Sequence, residues 1–184
     1  MARTGMTNLI DRLRRAVDDS GTVQVWTSDQ LQTTLDLYKL RIQREELAME
    51  TTYTGAGTFV YQTYHSGYEN YEEGTAYFQV EDGMGTQRGT EDYTANYATG
   101  LITMNADQGG TALYLSGWSY DINAAAADCW RERAGKVSSY YNVNLDGHNL
   151  SRAQWFEHCQ QMALTFEQRS RPRVVRMWNY GVFE

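Results

Sequence analysis

The sequence predicts an α+β protein: a four-helix bundle with a β-rich insertion between helices 2 and 3 and an extended C-terminal arm. Three features carry this expectation. Residues 1–43 and 116–170 repeat apolar side chains at helical spacing behind recognisable helix-start signals. Residues 44–115 instead place short apolar runs between glycine-containing turns. The only proline, Pro172, closes the last helical stretch and opens a basic, aromatic segment, residues 171–184.

The first helix is expected from about Thr7 to Asp18, with Leu9, Leu13, Ala16 and Val17 on one side and Gly21 as its stop. Val23–Trp26 reads as short and extended. Thr27 and Gln30 then have the spacing of a capping box, and Trp26 and Leu31 sit where a hydrophobic staple closes over it. This second helix carries Leu31, Leu35 and Tyr38 and is expected to fade near Lys39–Ile42.

In the insertion, Thr58–Tyr64, Ala76–Val80, Leu101–Met104 and Thr111–Leu115 read as strands, and Gly117 reads as a turn after the last of them. The last two look like a hairpin across Asp107–Gly110. Glu81–Asn96 is polar and acidic and reads as a loop, mobile or ordered by a partner. Helical signals return at Asp121, an N-cap for Ile122–Val137, whose run Ala124–Ala127 favours helix and permits close helix approach. Asn144–Asn149 reads as a turn-rich link. Ser151 and Gln154 form a second capping box, with Leu150 and Trp155 as its staple. Trp155, Cys159, Met162 and Phe166 then share one face.

Charge separates function classes. The chain carries 16 Lys and Arg against 23 Asp and Glu, a net charge of −7. A nucleic-acid grip needs the opposite balance. Residues 44–92 hold 2 basic and 10 acidic side chains, whereas residues 169–184 hold 4 basic and 1 acidic, so two surfaces with different tasks are expected. Two cysteines, Cys129 and Cys159, do not make a disulfide framework. No leader-like or membrane-length apolar run is visible, which points to synthesis in a reducing cytoplasm.

His65, His148 and His158 are isolated, without metal-ligand spacing, and His158 falls off the core stripe of the last helix. No phosphate loop, nucleophile elbow or dinucleotide fingerprint occurs, and no cofactor is expected. The pairs Glu45–Glu46, Glu72–Glu73, Glu81–Asp82 and Glu91–Asp92 read as a solvated acidic face. Tyrosines Tyr53, Tyr61, Tyr64, Tyr68, Tyr71 and Tyr77 fit cross-strand packing or a subunit contact. They also fit a platform for sugars, which keeps a glycan- or small-molecule-binding module as an alternative.

Several segments, taken in order, carry a resemblance. Ser116–Asp128 (SGWSYDINAAAAD) is a small-residue entry into an Ala-rich helix. Leu150–Gln154 (LSRAQ) and Arg169–Val175 (RSRPRVV) follow it. Leu9–Arg14 (LIDRLR) and Trp26–Leu31 (WTSDQL) precede it. In this the chain resembles the head–tail adaptor (connector) family of tailed bacteriophages, over residues 1–43 and 116–178. The insertion lies outside the resemblance.

The resemblance implies a non-enzymatic virion protein of the neck, made in the host cytoplasm. It would be assembled as a ring of about twelve copies between the portal and a tail or head-closure protein, with genomic DNA passing through its lumen without specific binding. It also implies that the C-terminal arm engages the portal, through Arg171, Arg173, Val175, Arg176, Trp178, Tyr180 and Phe183. Chemically, a stretch this basic and aromatic either folds back on its own domain or adds to a partner's surface by strand pairing or groove insertion. Tyr61, Tyr64, Tyr68 and Tyr77 are the candidates for subunit or tail contacts. Another virion connector, such as a head-closure or tail-terminator protein, is the alternative within the same class.

Overall fold

The computed structural model describes residues 2–22, 24–54, 57–138, 143–145, 148–150 and 152–171. A 3-10 turn at Thr4–Met6 leads into α1 (Thr7–Ala16), and α2 spans Ser28–Leu37. Seven strands follow: β1 (Lys39–Glu46), β2 (Ala48–Tyr53), β3 (Phe59–His65), β4 (Phe78–Asp82), β5 (Tyr93–Asn96), β6 (Leu101–Met104) and β7 (Leu113–Tyr120). Then come α3 (Ile122–Ser138), a small hairpin of β8 (Val143–Leu145) and β9 (His148–Leu150), and α4 (Arg152–Arg169).

The expected four-helix bundle with an insertion is corrected by this arrangement. The chain is α+β, but its middle forms two antiparallel sheets, ordered β1-β7-β4 and β2-β3-β6-β5. Between them lies a core of their own, built from Ile42, Leu47, Tyr64, Tyr71, Phe78, Val80, Tyr93, Ile102, Met104, Leu113 and Leu115. Two readings had hidden the first sheet. Lys39–Ile42 continues no helix: α2 stops at Tyr38, and β1 pairs with β7 from Lys39↔Tyr120 to Glu46↔Tyr114. Lys, Leu and Arg are good helix formers, so pairing with a distant strand overrides local preference here. Gly117 marks no turn. It lies inside β7 opposite Phe78, where an added Cβ would sit 2.8 Å from the Tyr77 carbonyl oxygen, so its small size serves close backbone approach.

Two further expectations change for topological reasons. Leu101–Met104 and Thr111–Leu115 are not a hairpin, because β6 (Leu101–Met104) pairs with β3 and β5 while β7, which starts at Leu113, pairs with β1 and β4. The acidic stretch Glu81–Asn96 contains β5 and an ordered turn. In that turn the Asp82 carboxylate accepts the N–H groups of Met84 and Thr86, each at 2.9 Å. These bonds hold the Asp82 carboxyl below its usual range.

The helices share a second core, in which Leu9, Leu13, Val17, Trp26, Leu31, Leu35, Ala125, Ala126, Cys129, Trp130 and Cys159 are buried. Local signals behave as expected here. Thr27 and Gln30 form the reciprocal capping box. Asp121 caps α3 by accepting the Ala124 N–H at 3.0 Å. Ser151, the expected cap of the last helix, lies outside the described residues, as do Val23 and the turn at 146–147 within the expected link. Cys129 is buried deeply enough that its thiol is pushed up to about 12, the behaviour of a small hydrophobe rather than a nucleophile.

Arg133 ties the helices together. Its guanidinium lies 5.7, 5.2 and 5.6 Å from the ring centres of Trp26, Trp130 and Trp155, and it donates to the Val17 carbonyl at 2.9 Å. The two cores are joined covalently where β7 runs into α3. They are also joined by a polar knot. Arg3 donates to Glu72 at 2.8 Å and to both oxygens of Asp36 at 3.0 and 2.8 Å, and Tyr120 donates to Glu72 at 2.6 Å. The Glu72 side chain is only 1% exposed, so this carboxylate is no part of a solvated face.

Candidate binding site at the root of the C-terminal segment

The described chain leaves α4 through Arg171, and that residue is held from four directions. Its backbone N–H donates to the Asp121 carboxylate at 2.7 Å. Its guanidinium donates to Ser119 Oγ at 2.9 Å and to the Glu69 carbonyl at 3.1 Å, and it lies 5.4 Å from the centre of the Tyr68 ring. Asp121 therefore does two things: one oxygen caps α3 and the other fastens the chain after α4. Ser119 is buried, and its hydroxyl donates a hydrogen bond to the Glu69 carbonyl at 2.6 Å. The Asn123 amide adds a bond to the Arg169 carbonyl at 3.2 Å.

The strand–helix joint of β7 and α3 and the Tyr68 loop thus fix the point from which residues 172–184 depart. Beside this root lies a cleft of about 620 Å³ lined by Tyr38, Asp121, Arg131, Glu167 and Arg171, among others. Arg131 pairs there with Glu167 at 2.5 Å and with Asp128 at 3.0 Å.

Of the residues singled out in the sequence, the structure brings Arg171 and Tyr68 together. Arg173, Val175, Arg176, Trp178, Tyr180 and Phe183 lie outside the described residues. The remaining tyrosines do not converge. Tyr64 is fully buried between the sheets, its hydroxyl donating to the Thr111 carbonyl at 3.1 Å, so it offers no contact surface. Tyr61 is half-buried beside Gly110. Tyr77, also half-buried, accepts the Trp118 N–H at its carbonyl, 3.0 Å away. Tyr61 and Tyr64 share β3, whereas Tyr77 precedes β4.

No local pattern in the sequence marks Ser119, Asp121 or Glu69 as partners of Arg171. Asp121 was legible only as a cap, and nothing local in the sequence links it to a residue fifty positions on. His158 is exposed, as expected, but it also stacks on Trp155, with ring centres 5.4 Å apart. Among the described residues no group of three His, Cys, Asp or Glu side chains could hold a metal ion, and no helix is long and apolar enough to cross a membrane. Set against known proteins, the chain matches no family model, no curated protein and no solved structure.

Replacing Arg171 by alanine is expected to lower stability by about 1–2 kcal/mol. The variant loses charge-assisted hydrogen bonds and a cation–π contact at a half-buried position but leaves no buried charge behind. Urea denaturation followed by circular dichroism measures it. An unchanged midpoint would show that the clamp does not hold in solution.

Proposed function

We propose that the protein is a head–tail adaptor of a tailed bacteriophage, a non-enzymatic connector in the virion neck. In this reading it docks on the portal as a ring of about twelve copies and joins the DNA-filled head to the tail. The observation that carries the reading is the clamped root at Arg171. Arg171, which precedes the basic, aromatic sequence of residues 172–184, is fastened to the joint of β7 and α3, and such a sequence suits a segment that reaches into a partner. Its large side chains Trp178, Tyr180 and Phe183 are the residue types that anchor interfaces, and its arginines suit an acidic acceptor. The net charge of −7 fits a lumen through which DNA slides without adhering.

Removing residues 172–184 tests this. The truncated chain is expected to lose at least a hundredfold in affinity for the portal ring of the same virus while keeping its circular dichroism spectrum. Its melting temperature should also stay within about 2 °C, since the two cores among the described residues are built from side chains before residue 172. Unaltered portal binding would remove the segment from the interface. A truncated chain that unfolds would make the segment part of the core.

A further inference from the structure

The chain from Lys39 to Tyr53 supplies one edge strand to each sheet, β1 to the first and β2 to the second. The two edges are guarded differently. β1 carries a bulge between Ile42 and Glu45 and the charged side chains Lys39, Arg41, Arg44, Glu45 and Glu46, the usual protection against unwanted strand pairing. β2 also has a register shift, between Glu50 and Thr52, but every residue is exposed and its single charge is Glu50, whose carboxylate lies 2.9 Å from His65 Nε2.

Its partner β3 pairs with β6 only over Thr63–His65, so the far end of the β2–β3 hairpin runs past the sheet. That end carries Tyr53 against Phe59, ring centres 5.6 Å apart, with the two side chains 60% and 55% exposed. One strut braces it: Asp107 accepts the Tyr61 N–H at 2.9 Å, and the Gln108 N–H donates to the Tyr61 carbonyl at 3.1 Å. Hairpin and strut together, residues 48–65 and 105–110, contain Glu50 and Asp107 and no lysine or arginine.

A complementary surface exists on the same molecule. Leu37, at the end of α2, is 68% exposed, and Leu40, at the start of β1, is 43% exposed. Beside them Lys39 and Arg41 lie over Trp118, at 5.1 and 5.7 Å from its ring centre. Arg44 lies over Tyr114 at 4.9 Å. Among the described residues none of these three cations stands in a salt bridge, in a chain with an excess of acid.

We propose that the β2–β3 hairpin of one copy docks on the β1 edge of a second copy, Tyr53 and Phe59 covering Leu37 and Leu40 while Glu50 and Asp107 face Lys39 and Arg41. Donor and acceptor are different surfaces, so the contact is head-to-tail. Such a contact closes into a ring or continues as a filament according to its rotation. The proposal rests on the adaptor reading only for the number of copies in the ring.

Disulfide trapping between two full-length variants, Phe59→Cys and Leu40→Cys, tests it; the native Cys129 and Cys159 are buried. Under mild oxidation the mixture is expected to give at least tenfold more covalent dimer than either variant alone. Adding Arg41→Glu to the Leu40→Cys chain should cut the yield about fivefold, and Glu50→Arg in the Phe59→Cys chain should restore it. Dimer formed by Phe59→Cys alone would mean hairpin-to-hairpin pairing and would overturn the proposal, as would no dimer in any mixture. The adaptor reading fails separately: trapped multimers that never bind a portal ring keep this interface and sink that reading, and portal binding without trapping does the reverse.

Discussion

Arg3→Met is expected to lower stability by about 3 kcal/mol, equivalent to roughly 6–12 °C in melting temperature for a chain of this size. The reason is the carboxylate it leaves behind. Glu72 is buried and faces the Tyr120 hydroxyl, and Arg3 is the cation paired with it. Removing one member of a buried pair strands the other charge in a poor solvent for it, which costs more than the pair contributes when intact. The lower end of the usual range applies because Arg3 itself is partly exposed.

The same knot gives stability a pH dependence. Burial alone would raise the Asp36 carboxyl, but hydrogen bonding and charge from Arg3 outweigh it and leave it below the ordinary aspartate value. A carboxyl depressed in the folded state contributes stability above its unfolded value. That contribution disappears as the pH falls through the folded one. The wild-type chain should therefore lose stability from about pH 4 downward, and Arg3→Met should show a flatter acid limb. Chemical denaturation at several pH values measures both. Equal acid slopes in the two chains would mean that Arg3 does not set the Asp36 proton affinity.

Leu115→Ala is expected to cost about 3 kcal/mol. Leu115 is fully buried in β7, the central strand of its sheet, between Glu45 on β1 and Val80 on β4. The cavity opens in the core between the sheets, yet the loss should register in the helices as well. β7 runs directly into α3, and Tyr120 at its end is buried in the helical core while bonding to Glu72. Tryptophan fluorescence, to which the buried Trp26 and Trp130 contribute along with Trp118, Trp155 and Trp178, and near-ultraviolet dichroism, to which the buried Tyr64, Tyr71 and Tyr93 contribute, should thus shift together. Two separate transitions would mean that the sheets and helices unfold as independent units.

What could be read from the sequence was local. Thr27 with Gln30, Asp121 before an alanine run, and Cys159 on the buried side of the last helix are short-range patterns, and each sits where its chemistry requires, whereas Trp155, expected on the same stripe, is 37% exposed. What escaped depends on partners far along the chain. Lys39–Glu46 has no β-forming composition and becomes a strand because β7 lies beside it. Gly117 looks like a turn residue and is a packing contact. Glu72 looks like half of a solvated acidic pair and is the centre of a buried knot, since its partners Arg3 and Tyr120 are 69 and 48 residues away. At the candidate site the sequence marked Arg171 and Tyr68 separately. Their contact, and the roles of Ser119 and Asp121 in it, exist only once α4 has packed against α3.

We propose a ring-forming adaptor on a portal. It is tested most directly by mixing the full chain with intact portal rings of the same virus and recording negative-stain images together with the solution mass of the complex. The account predicts one closed ring of about twelve copies stacked on each portal. Portal rings that stay bare across the whole concentration range would contradict it.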